Sequence, residues 1–142
     1  MPHSQTPLIN NAEFAQARTE LGAGFVRILG YFREDGTKSV ASIEEAMRNR
    51  NAAALVIPAH TLKGESRQFG AQRLSEMAEE IEMVARRCVE SHDSPEELIE
   101  TVVALRGCFN ETLSGLERDT NPLVQRRPVF GRRDGVVGFG RA

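Results

Sequence analysis

Apolar residues recur along this chain at intervals of three and four, and nowhere before residue 119 do they alternate convincingly with polar ones at period two. Such spacing holds one stripe of a helix against a core, because successive residues turn by about 100°. Five helices follow. A short first helix runs from a cap at Asn10 or Asn11 to about Leu21, anchored by Phe14. In the second, Leu21, Phe25, Ile28 and Phe32 set the rhythm, which resumes at Val40, Ile43 and Met47. Glu34-Asp35-Gly36-Thr37 between them has turn chemistry. Phe32, Gly36 and Val40 nevertheless stay on one face, which favours a single long helix ending near Arg50.

The third helix carries Leu55, Leu62, Ser66 and Phe69 in one stripe with Ala59 at its edge. Pro58 removes a backbone donor and either kinks this helix or marks its start, and Gly70 supplies a stop. The fourth reads Leu74, Ala78, Ile81, Ala85 and Cys88, widened by Met77 and Val84. After Ser91-His92-Asp93, Ser94 is placed as the cap of the fifth, with Pro95 first and Glu97 closing a capping box. Leu98, Val102, Leu105, Phe109, Thr112 and Leu116 then carry it to about Arg118. The expected fold is all-α: an antiparallel four-helix bundle with the short N-terminal helix packed over one end.

Composition divides the chain. Residues 1–11, with Pro2 and Pro7, read as a flexible arm, 12–118 as the bundle, and 119–142 as a disordered tail. The tail holds five arginines and two aspartates with four glycines and two prolines, leaving 13 cations and 18 anions before it. An acidic body with a basic tail argues against nucleic-acid binding by the bundle. Cys88 and Cys108 match no metal-ligand spacing and sit near apolar stripes, so they read as reduced core thiols of a cytoplasmic protein. No apolar run reaches the roughly 20 residues of a membrane span, and no signal peptide is visible.

The candidate chemistry lies on the third helix. Opposite its apolar stripe stands His60, with Lys63, Gly64, Arg67 and Ala71 on the same side and Val56 one turn earlier. A lone helical histidine is ordinarily structural or merely exposed, and His3 and His92 are read as incidental. His60 differs because two cations and a bare glycine share its face. A neutral imidazole is nucleophilic at one ring nitrogen. Neighbouring cations favour the neutral ring and then stabilise an arriving phosphoryl group. Gly64 costs about 1 kcal/mol against alanine in a helix, and clearance for a partner's backbone is a reason to keep it. For Lys63 and Arg67 the competing reading is an ordinary solvated face. Gln68 lies about 80° round from His60, by the turn per residue, and is placed at the edge of a contact surface. Val56 and Ile57 either meet a partner or, if Pro58 kinks the helix, join the core.

With these residues in view the chain resembles the histidine-containing phosphotransfer (HPt) domains of multistep two-component phosphorelays. Their hallmark H-x-L-K-G reads here His60-Thr61-Leu62-Lys63-Gly64, and the family's later glycine falls at Gly70. Leu74 and Ile81-Glu82 match the Leu…Leu-Glu run of the next helix, so the resemblance spans about residues 12–118. Glu65 departs from it by standing where a small residue is usual, and Pro58 is unusual too. The resemblance implies a phosphocarrier that accepts a phosphoryl group on His60 from a receiver-domain aspartate and yields it to another receiver. It implies a hybrid or upstream sensor histidine kinase and response-regulator receivers as partners, with Mg²⁺ on the receiver. No cofactor is expected on this chain, nor autonomous kinase activity, since it has no phosphate-binding glycine loop and no kinase signature set. Two rivals stand beside it: a non-catalytic helical adaptor, which Glu65 favours, and a dimeric histidine phosphotransferase. Four long helices within one chain favour a monomer over the latter.

Overall fold

The computed structural model describes residues 2–120. Its helices are α1 (Asn11–Leu21), α2 (Phe25–Arg48), α3 (Ala52–Gln68), α4 (Gln72–Ser91) and α5 (Ile99–Thr120), with single 3₁₀ turns at Pro2–Gln5, Gly22–Gly24 and Glu96–Leu98. No strand occurs among the described residues. α3 packs along α4 and α2, and α5 closes the bundle against those same two helices. The chain is an all-α, four-helix bundle with α1 laid across one end. The tail 121–142 lies outside the described residues.

Local chemistry sets most boundaries. Asn10 Oδ1 accepts from the Glu13 N–H at 3.1 Å, and Asn51 Oδ1 accepts from the Ala54 N–H at 3.1 Å, starting α1 and α3. α2 is unbroken through Glu34–Thr37, because Phe32, Gly36 and Val40 all face the core and tertiary packing outweighs local turn preference. Leu21 ends α1 instead of opening α2, the Gly22–Gly24 turn separating them. Pro58 lies inside α3, not at its start. The capping box expected at Ser94 does not form: the chain enters α5 through a 3₁₀ turn, and Glu97 accepts from Arg87 Nη2 at 2.6 Å instead.

A row of phenylalanines runs through the core. Phe14, Phe25, Phe69, Phe32 and Phe109 succeed one another with ring centroids 5.8, 5.6, 5.3 and 5.8 Å apart. The row links α1, α2, the end of α3 and α5, and so fixes which face α3 presents outward. Gly36 admits the last of these contacts, since a Cβ there would sit 2.4 Å from Phe109 Cε1. Gly70 turns the chain between α3 and α4 at φ +71°, and its carbonyl accepts from the Asn10 N–H at 2.8 Å. A Cβ at Gly70 would lie 2.9 Å from both Asn10 O and Phe14 N, so the residue that stops α3 also seats α1.

The N-terminal arm is held against the bundle along much of its length. His3 Nε2 meets Glu80, Thr6 Oγ1 donates to Glu76 at 2.9 Å, and Arg73 Nε donates to the Thr6 carbonyl at 2.8 Å. Leu8 and Ile9 pack on the core. Cys88 and Cys108 are free and buried.

Candidate functional site

α3 buries Leu55, Ala59, Leu62 and Ser66 and is followed by buried Phe69, which leaves the opposite side of the helix open. His60 stands there with 62% of its side chain exposed. Its Nδ1 lies 3.0 Å from Oε2 of Glu82 on α4. Glu82 itself is buried, and Lys63 Nζ approaches its other oxygen, Oε1, at 2.8 Å. That approach is an ion pair without hydrogen-bond alignment, and Oε1 has no aligned donor. Arg86, one turn beyond Glu82, donates to Oε2 through Nε at 3.1 Å and Nη2 at 2.8 Å. One carboxylate thus gathers a histidine and two cations from two helices.

Burial alone would press the Glu82 carboxyl upward. Contact with Lys63, then Arg86 and His60, outweighs it and holds the group at about 2. Glu82 is therefore ionised at neutral pH and only accepts hydrogen bonds. His60 Nδ1 must then carry the proton in this contact, and the lone pair resides on Nε2, the nitrogen turned away from Glu82. The arrangement presents a nucleophilic ring nitrogen to solvent, oriented from behind, with an ammonium one turn away.

The other sequence-predicted residues are distributed unevenly. Gly64 borders His60 on open surface, with no heavy atom within 4 Å of where a Cβ would stand. Ile57 is exposed one turn before His60, while Val56 is half-buried against the core. Arg67 does not join His60; its Nη2 donates to Glu79 Oε1 at 3.1 Å. Arg67 and Gln68 border a groove toward α1. Ala71, placed on the His60 face by extending α3, is fully buried, because α3 ends at Gln68 and the turn at Gly70 redirects the chain. Glu65 points elsewhere too. Burial, then the nearby Asp35 carboxylate on α2, raises its pKa to about 7. Its reading as a negative charge beside the nucleophile is thereby weakened.

Two residues of the site, Glu82 and Arg86, carried no role in the sequence reading. A signal was present: Glu82 follows Ile81 at the edge of the α4 apolar stripe, and a glutamate there must find a cation. Arg86 at the i+4 position offers one.

Comparison with known proteins assigns the family. The Hpt domain family model matches residues 27–118. This chain is a member of the Hpt domain family. A histidine phosphotransfer role in a phosphorelay accompanies that membership. Among solved structures, histidine-containing phosphotransfer protein B (HptB) from Pseudomonas aeruginosa PAO1 is similar at a TM-score of 0.69 and 21% identity, covering 81% of this chain and 96% of that one. At that identity the likeness speaks to the fold. No curated protein matches the chain. Among the described residues of this Hpt domain, no helix is long and apolar enough to cross a membrane.

Gly64→Ala tests the open face. With space for the methyl group, stability should hold or rise by up to about 1 kcal/mol from helix propensity. Phosphoryl transfer should slow, because the methyl stands beside the nucleophile. Denaturant midpoints together with transfer rates check both halves, and a variant that transfers at the wild-type rate removes the clearance argument.

Proposed function

We propose that this Hpt domain is a phosphorelay intermediate that takes a phosphoryl group onto Nε2 of His60 from a receiver-domain aspartyl phosphate and passes it to another receiver. The contact of His60 Nδ1 with ionised Glu82 carries the reading, because it both fixes the tautomer and aims the free nitrogen outward. The Nε2 lone pair attacks phosphorus, the Nε2–P bond forms, and the acyl-phosphate P–O bond breaks. The receiver carboxylate departs with the bonding electrons. The ring is then cationic, and its Nδ1–H keeps a carboxylate partner in Glu82. Lys63, paired with Glu82 Oε1 at 2.8 Å but without hydrogen-bond alignment, swings to the phosphoryl oxygens and offsets their charge. Charge stabilisation and positioning carry most of such a transfer.

Docking falls on the same face. Ile57 on α3 and Met83 on α4 are exposed apolar residues flanking the His60–Glu82 pair in sequence, suited to a receiver's apolar surface around its aspartate. Mg²⁺ belongs to the receiver in this scheme, and the upstream kinase reaches the chain through a receiver. A single chain suffices, since α2–α5 complete one bundle.

The test is transfer from a panel of phosphorylated receivers to the wild type and to His60→Gln. The wild type should acquire acid-labile phosphate from at least one receiver, and His60→Gln should acquire none while its helical circular dichroism is unchanged. Acid-labile phosphate on the variant overturns the assignment.

A further inference from the structure

The two oxygens of Glu82 are held unequally. Oε2 accepts from His60 Nδ1 and from both Nε and Nη2 of Arg86. Oε1, itself buried, has only the unaligned ion pair with Lys63. Arg86 sits on the same helix as Glu82, so its grip does not depend on how α3 and α4 dock. Two donors in the rigid plane of a guanidinium fix an acceptor's direction in a way that a single ammonium does not. Without them, the carboxylate is free to rotate toward Lys63, and Nδ1 loses its acceptor.

We propose that Arg86 is a positioning residue for phosphoryl transfer: it clamps Oε2 of Glu82 against His60 Nδ1, which leaves Lys63 as the cation released to the phosphoryl group. The two cations on one carboxylate thereby have different tasks. Lys63 moves between Glu82 and phosphate, and Arg86 stays in place throughout the cycle. Arg86 acts through Glu82 and need not touch the reacting atoms. The inference rests on His60 as the phosphoacceptor, and it adds a residue outside the His60 motif.

Arg86 has 57% of its side chain exposed, so its removal leaves the fold intact and the comparison clean. The full chain is prepared as wild type, Arg86→Ala, Arg86→Lys, Lys63→Ala and His60→Gln. Ring ¹⁵N shifts of unphosphorylated His60 report the tautomer, and phosphoramidate serves as a phosphodonor that needs no docking. The wild type should show the Nδ1–H form predominating. Arg86→Ala should move toward a mixture of tautomers and accept phosphate from phosphoramidate about three- to tenfold more slowly. Arg86→Lys should recover only part of this, since an ammonium lacks the two-donor plane. Lys63→Ala should slow transfer while leaving the Nδ1–H form predominant. An unchanged tautomer in Arg86→Ala overturns the proposal, as does a variant that accepts phosphate from phosphoramidate at the wild-type rate and is slowed only with a phosphorylated receiver as donor, which marks a docking contact. Phosphate acquired by His60→Gln from phosphoramidate instead overturns the assignment of His60, a separate failure.

Discussion

Phe69→Ala should destabilise the bundle by roughly 3–5 kcal/mol, the usual cost of emptying a large aromatic site. The ring is 1% exposed and lies 5.6 Å from Phe25 and 5.3 Å from Phe32, centroid to centroid, so its loss breaks the aromatic row in the middle. Neighbours cannot collapse far into the gap, because Gly70 pins the adjoining turn against α1. Domains of this size are stable by about 5–15 kcal/mol, so the variant should be partly unfolded at 37 °C and impaired in transfer for that reason alone. Lys63→Ala is the control on the same helix. It takes one cation from a buried carboxylate that keeps Arg86 and His60, so about 1 kcal/mol is expected, with transfer falling more than stability accounts for. Denaturant midpoints and single-turnover transfer separate the two effects. If Lys63→Ala proves the more destabilising, α3 is rotated from the orientation described, and the exposure of His60 falls with it.

Period and punctuation made the helices legible. The stripes read for α3, α4 and α5 are buried stripes in the structure, whereas on α2 Ile28 is only partly buried and Leu29, outside the expected rhythm, lies in the core. Asn10 and Gly70 act through their own side chain or backbone within a few residues, while Asn51, which caps α3, was not singled out. His60, Lys63 and Gly64 were legible for the same reason, since their shared face follows from a single helix's turn. What stayed hidden depends on which helix lies against which. Glu82 reaches His60 only because α4 packs along α3, and no spacing within either helix states that neighbourhood. Arg67 illustrates the converse: it shares the His60 side of α3, yet Glu79 on α4 draws it away. Ala71 fails because a helix projection has no meaning past the helix's last turn. The arm was expected to be flexible, and the contacts of His3, Thr6 and Arg73 that hold it are equally invisible locally.

Glu65 and Glu82 should respond to pH in opposite senses, so that stability is expected to peak near pH 5. Its carboxyl is pushed from 4.5 to about 7 by burial and by Asp35, while that of Glu82 is held at about 2. A group whose folded pKa is raised binds its proton more tightly in the native state. Its contribution is complete below the unfolded value, and it is lost as pH climbs from 4.5 through about 7. A depressed group behaves in reverse: the Glu82 contribution is present above 4.5 and is lost as pH falls toward about 2. The two slopes therefore meet near the unfolded carboxylate range. Glu65 is only partly buried, so solvent screening trims its share to about 1–2 kcal/mol. Glu65→Gln should remove the alkaline slope, because a neutral amide has no charge to bury and can donate to the Asp35 carboxylate. Urea titrations should then find the variant about 1–2 kcal/mol more stable than wild type at pH 8 and nearly equal to it at pH 5. A wild type whose stability does not change between pH 5 and pH 8, or a variant displaced equally at both, would mean that the Glu65 carboxyl is not held against Asp35 between α2 and α3.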